Sequence, residues 1–244
     1  MEKNITVELL QKGQDAIEDR IFKYAKDQGL SNENILPITD GIYSAEKYLG
    51  SSPKVMWVLK EPYDENEFGK PCGGGWSIPK DCYDKNDAWK NPTWQPIIYS
   101  MYGLFNKLEL GKMDRIRDNK EMADVLKQIA YINISKMPAH TNSSQSPIEN
   151  YYQIWKPILW EQIELYNPQV IIFGATFDYF FKDFFGSNNV VPEKQYIHGD
   201  ITYISEYKKD GRILLKTFHP IAHQKGFNRE YYVNSIISSI NELI

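Results

Sequence analysis

Four short apolar runs, each nearly continuous, constrain the fold of this chain most strongly. They occupy residues 55–59, 130–134, 170–173 and 213–218. Strands that are buried on both faces of a parallel sheet read as continuous apolar runs, whereas half-exposed strands alternate. Helical patterns separate the first three runs, and such alternation is typical of parallel α/β folds. We therefore predict an α/β fold, a three-layer α/β/α sandwich with a central, mostly parallel four-stranded sheet.

Helical periodicity fills the segments around these runs. Apolar residues recur at helical spacing over residues 94–110, 121–128, 148–166, 177–185 and 229–243. A further strand or hairpin is predicted at residues 195–205, and a helix closed by a glycine at residues 7–29. We interpret residues 1–244 as a single domain, with residues 1–50 as an N-terminal helical extension and residues 51–244 as the core.

Composition argues against several classes of protein. The net charge of −4 gives no global basic signature for coating nucleic acid. The charged start of the chain predicts no signal peptide, and no apolar run approaches about 18 residues, so no membrane span is expected. Two cysteines, Cys72 and Cys82, cannot form a four-cysteine zinc or iron–sulfur site. Reduced thiols in a cytoplasmic protein are the simplest interpretation.

Polar residues follow each apolar run at the point where a parallel strand would end. They are Glu61, Pro62 and Tyr63, then Asn133 and Ser135, then Gly174 and Thr176, and finally His219 and Pro220. Ligands of open α/β sheets bind beyond the carboxyl ends of the strands. We therefore expect a carboxylate, an amide and an imidazole to converge on one rim of the sheet.

Each of these three groups has more than one interpretation. Glu61 could stabilise a cation, bind a metal or act as a base toward water, or it could be a solvated loop acid. Asn133 offers one acceptor and two donors that suit a base edge, or it is a buried amide satisfied by the backbone. His219 could stabilise an oxyanion or simply pack. His223 allows a metal pair, but Pro220 argues against one helix face carrying both.

The loop after the first run and the C-terminal segment differ in chemistry. Tyr63 and Trp76 are aromatic residues beside a triple glycine at residues 73–75, which lacks the Gly-Lys-Ser/Thr of a phosphate-binding loop. Residues 207–229 hold six basic residues against one acid, which favours phosphate contacts. Residues 61–90 hold seven acids against four lysines, which opposes a duplex lying over the rim.

Several motifs, in this order, resemble those of the uracil-DNA glycosylase superfamily. The similar segments are LKEPY at 59–63, GGGWS at 73–77, Asn133 in YINIS, NPQVIIFGA at 167–175 and LLKTFHP at 214–220. The family counterparts are an acid-bearing motif such as GQDPY or GEAPG, a Gly-Leu-Cys-Phe-Ser segment, a strand-end asparagine, a third strand, and a strand ending in His-Pro-Ser. The resemblance extends from about residue 55 to residue 237.

The resemblance implies base excision without a metal or organic cofactor. A flipped uracil or related base in DNA would enter the rim pocket. Trp76 would stack on the pyrimidine, Asn133 would read its amide edge, and Tyr63 would crowd the C5 position and reject thymine. Glu61 would stabilise the oxocarbenium-like sugar and orient water, while His219 would stabilise the charge that grows on the base carbonyl.

The remaining assignments concern the base pocket and the DNA backbone. Pro62 is expected to help bind the base; the expected phosphate contacts are Lys216, Lys225 and Ser135. Three features depart from the family pattern: Lys60 replaces a small polar residue, Glu61 is longer than aspartate, and residues 221–223 replace the loop whose leucine wedges the duplex.

Two other functions fit the same fold, because one fold hosts many activities. One is a non-catalytic nucleic-acid or nucleotide-binding protein, which Lys60 and the acidic loop favour. The other is an N-glycosidase for free nucleosides or modified bases, which needs no contacts to phosphate.

Overall fold

The computed structural model describes residues 5–83, 87–139, 146–187 and 189–242. Its strands are β1 (Gly41–Ile42), β2 (Val55–Leu59), β3 (Ala130–Asn133), β4 (Val170–Gly174), β5 (Lys194–His198), β6 (Ile201–Lys209) and β7 (Arg212–Thr217). Its α-helices are α1 (Val7–Asp27), α2 (Ala45–Gly50), α3 (Trp94–Asn106), α4 (Ser146–Tyr166), α5 (Phe177–Phe185) and α6 (Arg229–Asn241). A π-helix spans Ile78–Cys82, and 3-10 helices span Ala88–Lys90, Leu110–Lys112 and Lys120–Gln128.

One mixed sheet of seven strands forms the centre, in the order β1-β3-β2-β4-β7-β6-β5. The four predicted apolar runs are the parallel strands β3, β2, β4 and β7. The α/β class is confirmed, but a sheet of four strands is wrong. β5 and β6 extend one edge as an antiparallel hairpin, and β1 adds an antiparallel strand at the other. β1 was missed because two residues carry no periodic pattern.

Both faces of the parallel strands are buried, which explains their continuous apolar sequences. In β2, Val55, Trp57 and Leu59 pack into a cluster with residues of α3 and α6. The intervening Met56 and Val58 pack into a second cluster with α1, α4 and α5. Alternation of side chains along a strand produces this division.

Helix boundaries follow local capping signals. Thr6 accepts a hydrogen bond from Leu9 at the start of α1, and Asn228 does the same for Tyr231 at the start of α6. The helix predicted at 94–110 ends earlier, because Lys107 adopts a left-handed conformation. No helix in the described ranges is long and apolar enough to cross a membrane.

Residues 5–50 are integrated into the sheet and its packing. β1 pairs with β3, with Gly41 opposite Tyr131. Leu10 and Ile17 of α1 are buried in the same cluster as residues of α4. The segment predicted as an added helical extension therefore contributes both a strand and a layer of core.

Ile172, at the centre of β4, offers a test of this core because it is fully buried. Ile172→Ala should lower the free energy of unfolding by about 2–5 kcal/mol, through lost burial and a residual cavity. Val191→Ala is the matched control, since Val191 is 78% exposed and should change stability by less than about 0.5 kcal/mol. Urea denaturation measures both, and similar values for the two variants would contradict the assigned core.

Candidate active site

A cavity of about 150 Å³ opens at the carboxyl ends of β2 and β3, beside the end of β7. Six of its lining residues are those predicted from sequence to bind or cleave a base: Glu61, Pro62, Tyr63, Trp76, Asn133 and His219. We call this cavity the base cavity, after the residues predicted to contact a base. Pockets for drug-sized ligands measure roughly 300–1,000 Å³, so the base cavity suits a smaller group. A single nucleobase is a group of that class.

The strand order explains why these residues meet. β2 comes first among the parallel strands and lies between β3 and β4, so the connection from β2 to β3 and the connection from β3 to β4 run in opposite directions across the sheet. Open α/β sheets form a crevice at such a point, beyond the carboxyl ends of the strands. Glu61 follows β2, Asn133 ends β3, and His219 follows β7.

Asn133 carries the most informative feature of the base cavity. Its side chain is 1% exposed, and neither its amide oxygen nor its amide nitrogen has a hydrogen-bond partner within the described chain. A buried polar group without a partner costs about 1–3 kcal/mol. The alternative of an amide satisfied by the backbone is therefore wrong for the described residues. The amide instead presents a donor and an acceptor to whatever fills the cavity.

The backbone of Asn133 is held by a buried ion pair. Asp40 Oδ2 accepts from the Asn133 N–H at 2.7 Å, and Lys136 Nζ donates to the Asn133 carbonyl at 2.8 Å. Lys136 Nζ also lies 2.7 Å from both Asp40 carboxylate oxygens, with side-chain exposures of 0% and 1%. Gln162 completes the group by bonding to both ions. Burial lowers the pKa of Lys136, and the Asp40 carboxylate opposes that effect.

The N-terminal segment supplies Asp40 and fixes its position. Gln14 of α1 donates to the Asp40 carbonyl at 3.1 Å, and the Tyr166 hydroxyl donates to the Gln14 side chain. Gly41 has φ +126°, and a Cβ there would lie 2.3 Å from the Tyr166 hydroxyl. Asp40 and Lys136 were not predicted from the sequence. The only signal was that Lys136 closely follows the apolar run at residues 130–134.

The loop after β2 fixes the Trp76 ring at the base cavity. Asp64 Oδ2 accepts from Trp76 Nε1 at 2.9 Å and from the Gly74 N–H at 2.8 Å. Gly74 has φ +76°, and a Cβ there would lie 1.9 Å from the Leu36 carbonyl oxygen. The triple glycine therefore allows close approach to the backbone near Leu36, which holds the loop in place.

The Glu61 carboxylate lies among phenols. Burial is the main cause that raises the pKa of both Tyr63 and Tyr151, and the negative charge of Glu61 adds to it. Both phenols therefore stay neutral at physiological pH and can act as hydrogen-bond donors. Tyr63 remains 41% exposed at the mouth of the base cavity.

His219 is neutral at physiological pH. Burial, and then the ammonium of Lys60, lower its pKa to about 4. Its Nδ1 accepts a long hydrogen bond, 3.4 Å, from the Ile221 N–H, which leaves Nε2 as the protonated nitrogen. His223 is exposed, with its Nδ1 beside the Ile221 carbonyl. Within the described ranges, no group of three or more His, Cys, Asp or Glu side chains could hold a metal ion.

The three residues predicted to contact phosphate lie outside the lining of the base cavity. Lys216 pairs with Asp178 at 2.6 Å, and Lys225 is exposed on the segment after β7. Ser135 is 1% exposed, and its hydroxyl accepts from the Met137 N–H at 3.1 Å. The structure thus places the two lysines at the surface and turns Ser135 inward.

Additional lining residues escaped the sequence analysis. Tyr131, Trp94 and Cys82 all border the base cavity. Trp94 contacts the Tyr131 ring edge-on, with 6.4 Å between ring centroids. Tyr131 could have been found from strand alternation, because it lies two residues before Asn133 on the same face of β3.

Neither a protein-family model nor a curated protein matches this chain.

The buried ion pair predicts a difference between single and double variants. Lys136→Met should lower the free energy of unfolding by about 3–5 kcal/mol, because it leaves the Asp40 charge buried without its partner. Asp40→Asn combined with Lys136→Met should recover much of that loss, since both charges are removed and the acceptor for the Asn133 N–H is retained. Urea denaturation compares them, and equal losses would contradict a buried charge pair.

The environment of His219 predicts an unusual titration. Its imidazole should remain neutral until the pH approaches 4, and Lys60→Gln should raise its pKa while burial keeps it below about 6.5. Folding stability should fall as the pH drops from about 6.5 to 4, because the unfolded chain binds that proton first.

Titration by NMR measures the His219 pKa, with His219→Gln identifying its resonance and urea denaturation following stability. A midpoint near 6.5 for His219 would show that its ring is solvated.

Proposed function

We propose that this protein is a cofactor-free N-glycosylase, which hydrolyses the bond between uracil, or a related base, and deoxyribose in DNA. The unpaired amide of Asn133 carries the proposal, because it lies in a cavity of nucleobase size with Glu61 and His219 in the same lining. The resemblance of the motifs to uracil-DNA glycosylases supports the same assignment.

Recognition of the base follows from three side chains. The Asn133 amide donates to a carbonyl of uracil and accepts from its ring N–H, a pairing that satisfies both of its unpaired atoms. Trp76, fixed by Asp64, provides a flat face on which the pyrimidine stacks. Tyr63 stands at the mouth of the base cavity and narrows the space beside C5, which disfavours the methyl group of thymine.

The reaction requires charge stabilisation on both sides of the breaking bond. As the N-glycosidic bond breaks, its electron pair leaves with the base and the sugar becomes oxocarbenium-like. The Glu61 carboxylate stabilises that cation and accepts a proton from the water whose oxygen bonds to C1′. The neutral His219 ring donates a hydrogen bond to the base carbonyl that becomes negative. The departing base takes a proton from solvent.

The proposal extends to the layers of the fold, the partner and the compartment. A three-layer α/β/α arrangement and a DNA strand as partner follow from the resemblance, and action in the cytoplasm follows from the expected reduced thiols of Cys72 and Cys82. The acidic loop beside the base cavity and the altered residues 221–223 favour a single strand over a duplex.

Oligonucleotides with one deoxyuridine, single- and double-stranded, test the proposal when abasic sites are then cleaved with alkali. Glu61→Gln should reduce the rate of base release by about 100-fold or more, because it removes the charge that stabilises the sugar cation. Asn133→Ala should lower kcat/KM by about 10- to 100-fold, since two hydrogen bonds of about 1 kcal/mol are lost. His219→Ala should slow release by about 100-fold.

Glu67→Gln and His223→Ala are matched controls, since both residues are exposed and lie outside the lining of the base cavity. No release of base from any deoxyuridine substrate by the wild-type protein would overturn the proposal. Salt-sensitive binding without release would assign a non-catalytic nucleic-acid-binding function. Release from nucleosides but not from oligonucleotides would assign a nucleoside N-glycosidase.

A further inference from the structure

A second and larger cavity, of about 560 Å³, adjoins the base cavity and is called the groove below. In two chain segments, one residue lines the groove and the next lines the base cavity. Lys60 lines the groove while its neighbour Glu61 lines the base cavity, and Phe218 lines the groove while His219 lines the base cavity. A ligand that extends beyond a single base in the base cavity therefore has the groove beside it.

A row of polar side chains crosses the floor of the groove. Gln195 of β5, Ser205 of β6 and Lys216 of β7 are direct cross-strand partners, and all three line the groove. Direct partners on neighbouring strands lie on the same face of a sheet. Gln195 Nε2 donates to the Ser205 hydroxyl at 3.1 Å, so the row presents an amide, a hydroxyl and an ammonium in sequence.

The charge of the groove differs in sign from that of the whole chain. Its charged lining residues are Lys60, Lys216 and Asp178, against a net charge of −4 for the protein. Lys216 and Asp178 form an ion pair, whereas Lys60 makes none with the residues that the structure describes. A positive groove in an acidic protein favours an anionic ligand. The rings of Tyr179 and Phe218 add aromatic surface.

We propose that the groove binds the nucleotide next to the one whose base is excised. Its phosphate lies near Lys60, and its base or sugar lies over the row of Gln195, Ser205 and Lys216. The volume of the groove is within the roughly 300–1,000 Å³ that suits ligands of this size. The inference rests on the proposed function and names its substrate class, a nucleic-acid strand of at least two nucleotides.

The same inference favours single strands. A nucleotide seated in the groove has left the base stack, as has the base in the base cavity. A duplex would have to break stacking and pairing at two neighbouring positions, at a cost of a few kcal/mol for each. A flexible single strand has much less pairing and stacking to lose.

Equilibrium binding to Glu61→Gln protein, which is expected to be slow in base release, tests the groove. The ligands are deoxyuridine, the dinucleotides that carry deoxyuridine with one neighbour on either side, and a single-stranded pentamer. We expect the better dinucleotide to bind at least about 10-fold more tightly than deoxyuridine. Adding Gln195→Ala or Lys216→Gln should reduce that ratio about 3- to 10-fold, as loss of one hydrogen bond predicts.

Gln224→Ala and Lys208→Gln are the matched controls, because both side chains are exposed and neither lines the groove. Equal affinity for deoxyuridine and both dinucleotides would overturn the inference, as would a ratio that the groove variants do not change. If wild-type protein releases uracil equally well from nucleoside and strand, the inference fails and the proposed function stands. If no base is released but groove variants weaken strand binding, the proposed function fails and the groove remains a strand-binding site.

Discussion

The buried ion pair between Asp40 and Lys136 is the interaction on which the base cavity depends. Neither charge reaches water, so each requires the other and the surrounding hydrogen bonds. Between them they hold the N–H and the carbonyl of Asn133, which leaves only its side chain facing the cavity. The ion pair thus links folding of the sheet edge to the position of the Asn133 amide in the cavity.

The parallel part of the fold was accessible from sequence because burial on both faces leaves a distinct pattern. VMWVL in β2 and VIIFG in β4 are continuous apolar runs, and both are strands with the expected residues. The edges were less accessible for a physical reason. A strand or hairpin was predicted at residues 195–205, where β5 and β6 lie, but its place in the central sheet was not, because β5 is largely exposed and has no core face to set a pattern. β1 was missed, since the role of its two residues comes from pairing with β3.

Some residues of the candidate site could also be predicted from the sequence, and others could not. Glu61, Asn133 and His219 were found because strand ends of a parallel sheet meet on one rim, which is a property of topology. Asp40 was not found, because its partner lies 96 residues later in the chain and no local pattern connects them. Ser135 follows the same strand as Asn133 but turns inward, since direction after a strand end depends on backbone conformation that residue type does not reveal.

The close approach of Gly74 to Leu36 has a consequence for how this molecule can be divided. The loop that carries Trp76 packs against the backbone at Leu36. The backbone of Asn133 is hydrogen-bonded to Asp40, four residues further on. Residues 36–40, which precede β2, therefore hold both sides of the base cavity in place. A fragment trimmed to residues 55–237 would keep Glu61, Asn133 and His219 but lose the segment that holds the Trp76 loop and the Asn133 backbone, so the smallest fragment that keeps this cavity must begin upstream of Leu36.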